Sequence, residues 1–159
     1  MALPPTARSI QHERWMDLAL LEAQQTVASG DVPIGAVVLN SQGDVVGRGY
    51  NRREACDDPT AHAEVLALRD AAARTGSWRL QDCTLVVTLE PCAMCAGAIV
   101  LSRVPRLVLG AWDPKAGACG SVFDVVREPR LNHWVEVTGG VREAECAGLL
   151  REFFEAHRK

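Results

Sequence analysis

The sequence predicts an α/β domain: a mixed five-stranded sheet with helices on both faces. Three observations carry that expectation. A hairpin pattern comes early, with Gly35–Leu39 and Val45–Tyr50 flanking Asn40-Ser41-Gln42-Gly43-Asp44. Helical and strand patterns then alternate along the rest of the chain. The 159 residues contain no repeat, low-complexity tract or linker, so residues 1–159 read as one domain with a sizeable core.

Each element has its own signal. Met16, Ala19, Leu20, Ala23 and Val27 recur at helical spacing, which predicts a helix over 9–29 ended by Gly30. The hairpin follows. Asp58-Pro59-Thr60 introduces a second helix, from about residue 61 to Arg74. Asp58 and Thr60 can cap it, and Pro59 suits its first turn. Thr84–Leu89 reads as a buried strand, and Pro91 opens a third helix that reaches about Leu101. Leu107–Ala111 is a strand, Ser121–Val126 a short helix and Trp134–Val137 the last strand. Cys146, Leu149, Leu150, Phe153 and His157 give a final helix an apolar stripe.

Composition narrows the class. The first ten residues have no apolar run and carry Pro4 and Pro5, unlike a secretory signal, and no stretch is apolar for the length of a membrane span. A cytoplasmic protein is expected. Without export, and with a core this large, the six cysteines are not read as a disulfide framework, and Cys56, Cys83, Cys119 and Cys146 are expected as free thiols. Net charge is −3, which does not advertise a nucleic-acid binder. Residues 98–135 are weakly basic, with five basic against three acidic side chains, which is compatible with RNA.

Two short stretches carry the chemistry: His62-Ala63-Glu64 and Pro91-Cys92-Ala93-Met94-Cys95. A structural zinc site closes with four protein ligands, whereas a catalytic one keeps three and leaves a position for water. One His, two Cys and a spare Glu therefore read as a zinc–water site with a resident proton carrier. Cys92 and Cys95 are three apart and share a helix face, near the positive end of the dipole that favours thiolates. Nitrogen and sulfur donors select zinc or iron over magnesium or calcium. A C-x-x-C after a strand could instead be a redox dithiol, but His62 and Glu64 favour the metal. Glu64 stands two residues after His62, a spacing that does not share a helix face; both reach one ion only if it lies beyond the helix end. With that geometry, Glu64 moves protons from water to a ring nitrogen and to leaving ammonia, and no organic cofactor is required.

The pattern H-x-E…P-C-x-x-C is an established signature of the zinc nucleobase deaminases, a group that includes the tRNA adenosine deaminases. From about residue 10 to residue 157 the chain resembles the tRNA-specific adenosine deaminases of the cytidine deaminase superfamily. The resemblance rests on Val32-Pro33-Ile34-Gly35-Ala36, Gly49-Tyr50-Asn51, residues 58–64, residues 88–98 and Gly110 to Ser121. It implies a three-layer α/β/α sandwich, one Zn2+ per subunit on His62, Cys92 and Cys95, Glu64 as catalytic residue, and a homodimer with active sites near the interface. It implies the wobble adenosine of a tRNA anticodon stem-loop as substrate, commonly in an arginine tRNA, with inosine as product. Asn51 would hydrogen-bond the flipped base; Val32, Pro33 and Ile34 would wall its pocket; Asp113 and Lys115 would contact the RNA. Cys119 replaces a smaller residue in that loop. Arg52, Arg53, Arg151, Arg158 and Lys159 are further candidates for phosphate contacts.

Two rivals share parts of the pattern. A deaminase of a free base or nucleoside, such as guanine or cytosine, would have the same metal site; the Asp113–Ser121 loop argues for RNA. A zinc-stabilised RNA-binding protein without catalysis would have no use for Glu64.

Overall fold

The structure, a computed structural model, describes residues 1–158, so Lys159 lies outside the described residues. Five strands, β1 (Gly35–Leu39), β2 (Val45–Tyr50), β3 (Thr84–Leu89), β4 (Arg106–Ala111) and β5 (Glu136–Thr138), form one sheet in the order β2-β1-β3-β4-β5. β1 runs antiparallel to both neighbours, while β3, β4 and β5 are parallel. Among the described residues four α-helices flank it: α1 (Ala7–Gln24), α2 (Ala63–Thr75), α3 (Ala93–Leu101) and α4 (Glu143–Ala156).

The period of two along each strand sorts the core into two layers. Ala36, Val38, Leu85, Val87, Leu107 and Leu109 pack with Ala67 and Leu68 of α2 and Ala96 and Ile99 of α3. Val37, Leu39, Val86 and Val108 pack with Met16 and Ala19 of α1 and with Cys146 of α4. The result is a three-layer α/β/α sandwich. Gly49 lets α2 lie close on β2, because a Cβ there would overlap the Ala63 carbonyl oxygen at the first turn of that helix.

Antiparallel and parallel pairing together gather the site. Because β1 opposes β2 and β3, the start of β1 and the ends of β2, β3 and β4 lie at one edge of the layers. Val32–Ile34, Asn51, Glu90 and Asp113 follow or precede those strand ends, the usual position for a ligand site in such sheets.

Five local expectations are corrected. Helix α1 begins earlier, capped by Thr6, whose Oγ1 accepts from the Ser9 N–H at 3.0 Å, and it gives way at Gln25 to a 3₁₀ turn before Gly30. Helix α2 is capped at His62, not at Asp58 or Thr60. The Asp58 carboxylate is taken by the Thr60 N–H and hydroxyl, both at 2.8 Å, inside the preceding turn. Pro91 likewise precedes the cap of α3, which is Cys92. No helix forms over Ser121–Val126: the N–H groups of Val122 and Phe123 both go to the Gly117 carbonyl, and only a 3₁₀ turn, Val125–Arg127, follows. The last strand is short and leaves Trp134 exposed.

Candidate active site

Both chemical motifs sit at helix N-termini, and the caps explain how. His62 is the cap of α2 in extended conformation, so its ring is not bound by the facing rule of the helix, and Glu64 belongs to the first turn behind it. Cys92 caps α3 in the same way, with Cys95 in the first turn. The two sulfurs stand 3.6 and 3.5 Å from Nδ1 of His62, and the three ligand atoms all lie within 4.8 Å of one another. Among the described residues this is a compact set of one imidazole and two thiols, and its donor chemistry fits one zinc ion with room for a non-protein ligand.

The electrostatics match. Hydrogen bonds from the Cys95 thiol and the His62 ring bring the Cys92 thiol down to about 3, so it is a thiolate at neutral pH. Sharing that proton raises Cys95, and the Cys92 partner raises His62. Glu64 is only 4 % exposed, and burial pushes its carboxyl above the ordinary range.

His62, Glu64 and Cys92 floor a cavity of about 330 Å³, within the range of small-molecule sites, with Cys95 buried behind them. Val32, Ile34, Asn51, Arg53, Leu89, Glu90, Asp113 and Phe154 are among the residues that wall it. Pro33 is placed elsewhere: it is buried and faces a separate groove between the end of α1 and α4. Lys115 is exposed and outside the lining; its N–H donates to Asp113 Oδ1 at 3.0 Å. The Asn51 amide donates to the Val32 carbonyl at 3.1 Å and accepts from the Arg53 N–H at 3.2 Å. One donor and one lone pair remain for a ligand. Of the candidate phosphate contacts, Arg53 borders the cavity, while Arg52, Arg151 and Arg158 are exposed around the molecule. The four other cysteines are free thiols: Cys56 is exposed, and Cys83, Cys119 and Cys146 are buried.

Phe154 and Glu90 are among the wall residues that sequence reasoning did not single out. Phe154 comes from α4, far along the chain, and nothing local marks it. Glu90 did leave a signal: it is the one charge between Asp82 and Arg103, inside an otherwise apolar stretch, yet the structure buries it to 2 % exposure.

The fold and this site define a zinc-dependent deaminase domain. A family model described as the cytidine and deoxycytidylate deaminase zinc-binding region matches residues 9–111. A tRNA-specific adenosine deaminase of Bacillus subtilis (strain 168) is 48% identical over 94% of this chain and 92% of its own length. A solved structure from work on A-to-I editing by tRNA:A34 deaminases at the wobble position superposes with TM-score 0.82. It is 43% identical and covers 86% of this chain and 99% of that one. A guanine deaminase from Nitrosomonas europaea gives TM-score 0.74 at 28% identity, covering 96% of this chain and 95% of its own. The chain belongs to the tRNA-specific adenosine deaminases of the cytidine and deoxycytidylate deaminase family.

Proposed function

We propose that this protein is a zinc-dependent hydrolase that converts the wobble adenosine of a tRNA anticodon, commonly that of an arginine tRNA, to inosine and ammonia. One observation carries the reading: three convergent metal-ligand atoms, those of His62 and Cys92 with Cys95 buried behind, and the buried Glu64 carboxyl meet at the floor of a cavity rimmed by the Asp113 loop. His62, Cys92 and Cys95 hold one zinc per subunit, and when bound the metal lowers the pKa of a coordinated water from ~15.7 towards ~7. Glu64 accepts the proton of the attacking water and returns protons to the purine ring nitrogen and to the departing amine. Burial suits this role, because a carboxyl raised towards neutrality both takes and gives a proton.

Asn51 presents its free donor and acceptor to the base edge, between Val32 and Ile34, with Pro33 fixing the segment that carries them from behind. Asp113 and Lys115 meet the neighbouring nucleotides of the anticodon stem-loop. A single-stranded loop suits this cavity because its bases leave the stack at low cost. Arg52, Arg53, Arg151 and Arg158 offer phosphate contacts.

A homodimer is supported by the outer face of α2 and α3. There Trp78 and Leu101 are 53 % and 69 % exposed and border a shallow apolar groove with Val65, Leu68 and Ala98. No helix among the described residues is long and apolar enough to cross a membrane. The substrate, tRNA, is what points to the cytoplasm.

The test is deamination by the zinc-loaded protein of an unmodified arginine tRNA with a wobble adenosine, beside free adenosine, guanine and cytosine. Inosine at that one position with the small molecules untouched is the expected result. Turnover of a free base alone overturns the RNA assignment and leaves the zinc chemistry standing.

A further inference from the structure

Glu90 is buried, carries a charge and faces no cation: no salt bridge among the described residues includes it. Its charge is met instead by one loop. Oε1 accepts from the Asp113 N–H at 2.9 Å and from the Ser121 hydroxyl. Oε2 accepts from the N–H groups of Cys119 and Ser121, both at 3.0 Å. Four donors fill the capacity of a carboxylate, about four lone-pair sites, so Glu90 has none left for a substrate although it borders the cavity. The loop wraps it closely: a Cβ at Gly117 would overlap the carboxyl group. The next residue repeats the grip, since the Pro91 carbonyl accepts from the Ala118 N–H at 2.8 Å. Cys92 follows at once. The turn that delivers a metal ligand thus also holds both sides of the loop that delivers Asp113.

We propose that Glu90 is a positioning residue for substrate recognition, a latch that fixes the 112–121 loop against the Cys92 turn and so sets the distance between the cavity rim and the metal floor. The role rests on the tRNA reading of that loop. It separates two functions of neighbouring carboxyls: Glu64 acts on the reacting atoms, whereas Glu90 acts only through the donors of the loop, three backbone N–H groups and the Ser121 hydroxyl.

Glu90→Gln keeps the shape but replaces one acceptor oxygen with an amide NH₂, so the N–H of Asp113, or those of Cys119 and Ser121 in the other amide orientation, is left facing a donor. Gly117→Ala presses the same contact from the loop side and leaves the carboxylate intact. Both variants are assayed as zinc-loaded protein on a wobble-adenosine anticodon stem-loop, with zinc content measured alongside. Each should raise KM about tenfold with kcat nearly unchanged, which marks lost binding and not lost chemistry. Zinc content should match the wild type. The double variant should be little worse than the worse single one, because both break one latch. A fall in kcat at unchanged KM would overturn the proposal and place Glu90 among the reacting groups. Loss of zinc would overturn it in favour of a role confined to the metal turn. If the wild type deaminates only free guanine, the tRNA reading fails. KM is then read for guanine, and a value unmoved by Glu90→Gln rejects the latch as well.

Discussion

The floor and the rim of the cavity are built on different principles. The floor is made of helix ends: His62 and Cys92 cap α2 and α3, Glu64 and Cys95 stand in their first turns, and the helices are pressed onto the sheet by a core of fully buried aliphatic side chains. The rim is made of loops, each gripped by a buried acid. Glu90 collects four donors from residues 113–121. Asp31, 1 % exposed, accepts from the Glu54 N–H at 2.7 Å and the Ala55 N–H at 3.1 Å, and so holds the loop that carries Arg52 and the cavity-lining Arg53. A rigid floor suits chemistry that one family applies to several amines. A rim of loops gripped by buried acids can change its substrate contacts without disturbing the metal.

Perturbing each half should therefore give a different signature. The largest effect is expected on the floor. Cys92→Ser or Cys95→Ser should lose zinc and with it all turnover, as read by metal analysis and inosine formation. Normal zinc content in either variant removes that sulfur from the ligand set. Glu64→Ala should keep zinc and lose turnover by about 10²–10⁴-fold, the usual range for a positioned proton carrier.

Smaller effects are expected on the rim. Burial pushes the Asp31 carboxyl up, but hydrogen bonds from the Ser29 hydroxyl and from the Glu54 and Ala55 N–H groups outweigh it and hold the group below the ordinary carboxylate range. Its ionised form then adds stability above that range, and the gain is lost as pH falls through the lowered value. Asp31→Asn should destabilise the protein by ~1–3 kcal/mol at neutral pH, with a gap to wild type that narrows in acid, measured by denaturant unfolding across pH. A constant gap would mean that the charge is not what holds the loop. The smallest effect is on single rim cations. Lys115→Gln or Arg53→Gln should lower the slope of log KM against log salt by about 0.7 each while kcat holds, and an unchanged slope removes that residue from the phosphate contacts.

What could be read from the chain divides along the same line. The hairpin, β3 and the metal motifs were legible because their signals are local: strand alternation, a turn-forming pentapeptide, ligands at fixed spacing. The facing problem between His62 and Glu64 dissolves once His62 is seen as a cap, a detail hidden because Thr60 captures the Asp58 carboxylate that could have capped the helix instead. The rim's fastenings were not legible, although Val32, Ile34, Asn51 and Asp113, named from the resemblance, do line the cavity. Ser121 resembles a helix start, but its N–H and hydroxyl are drawn away to Glu90, 31 residues earlier. Pro33 belongs to the same strand entry as Val32 and Ile34, yet alternation turns it to the other side. Phe154 reaches the cavity only because α4 returns to it. Such long-range pairings leave no periodic trace; the lone charge at Glu90 was the one hint.

The most direct test of the division between floor and rim is inosine formation in a wobble-adenosine anticodon stem-loop by zinc-loaded wild type, Glu64→Ala and Glu90→Gln proteins at equal zinc content. Turnover should fall by about 10²–10⁴-fold with Glu64→Ala at every RNA concentration and should return to the wild-type rate with Glu90→Gln once the RNA is saturating. Turnover that persists without Glu64, or that stays depressed at saturation without the Glu90 charge, would contradict it.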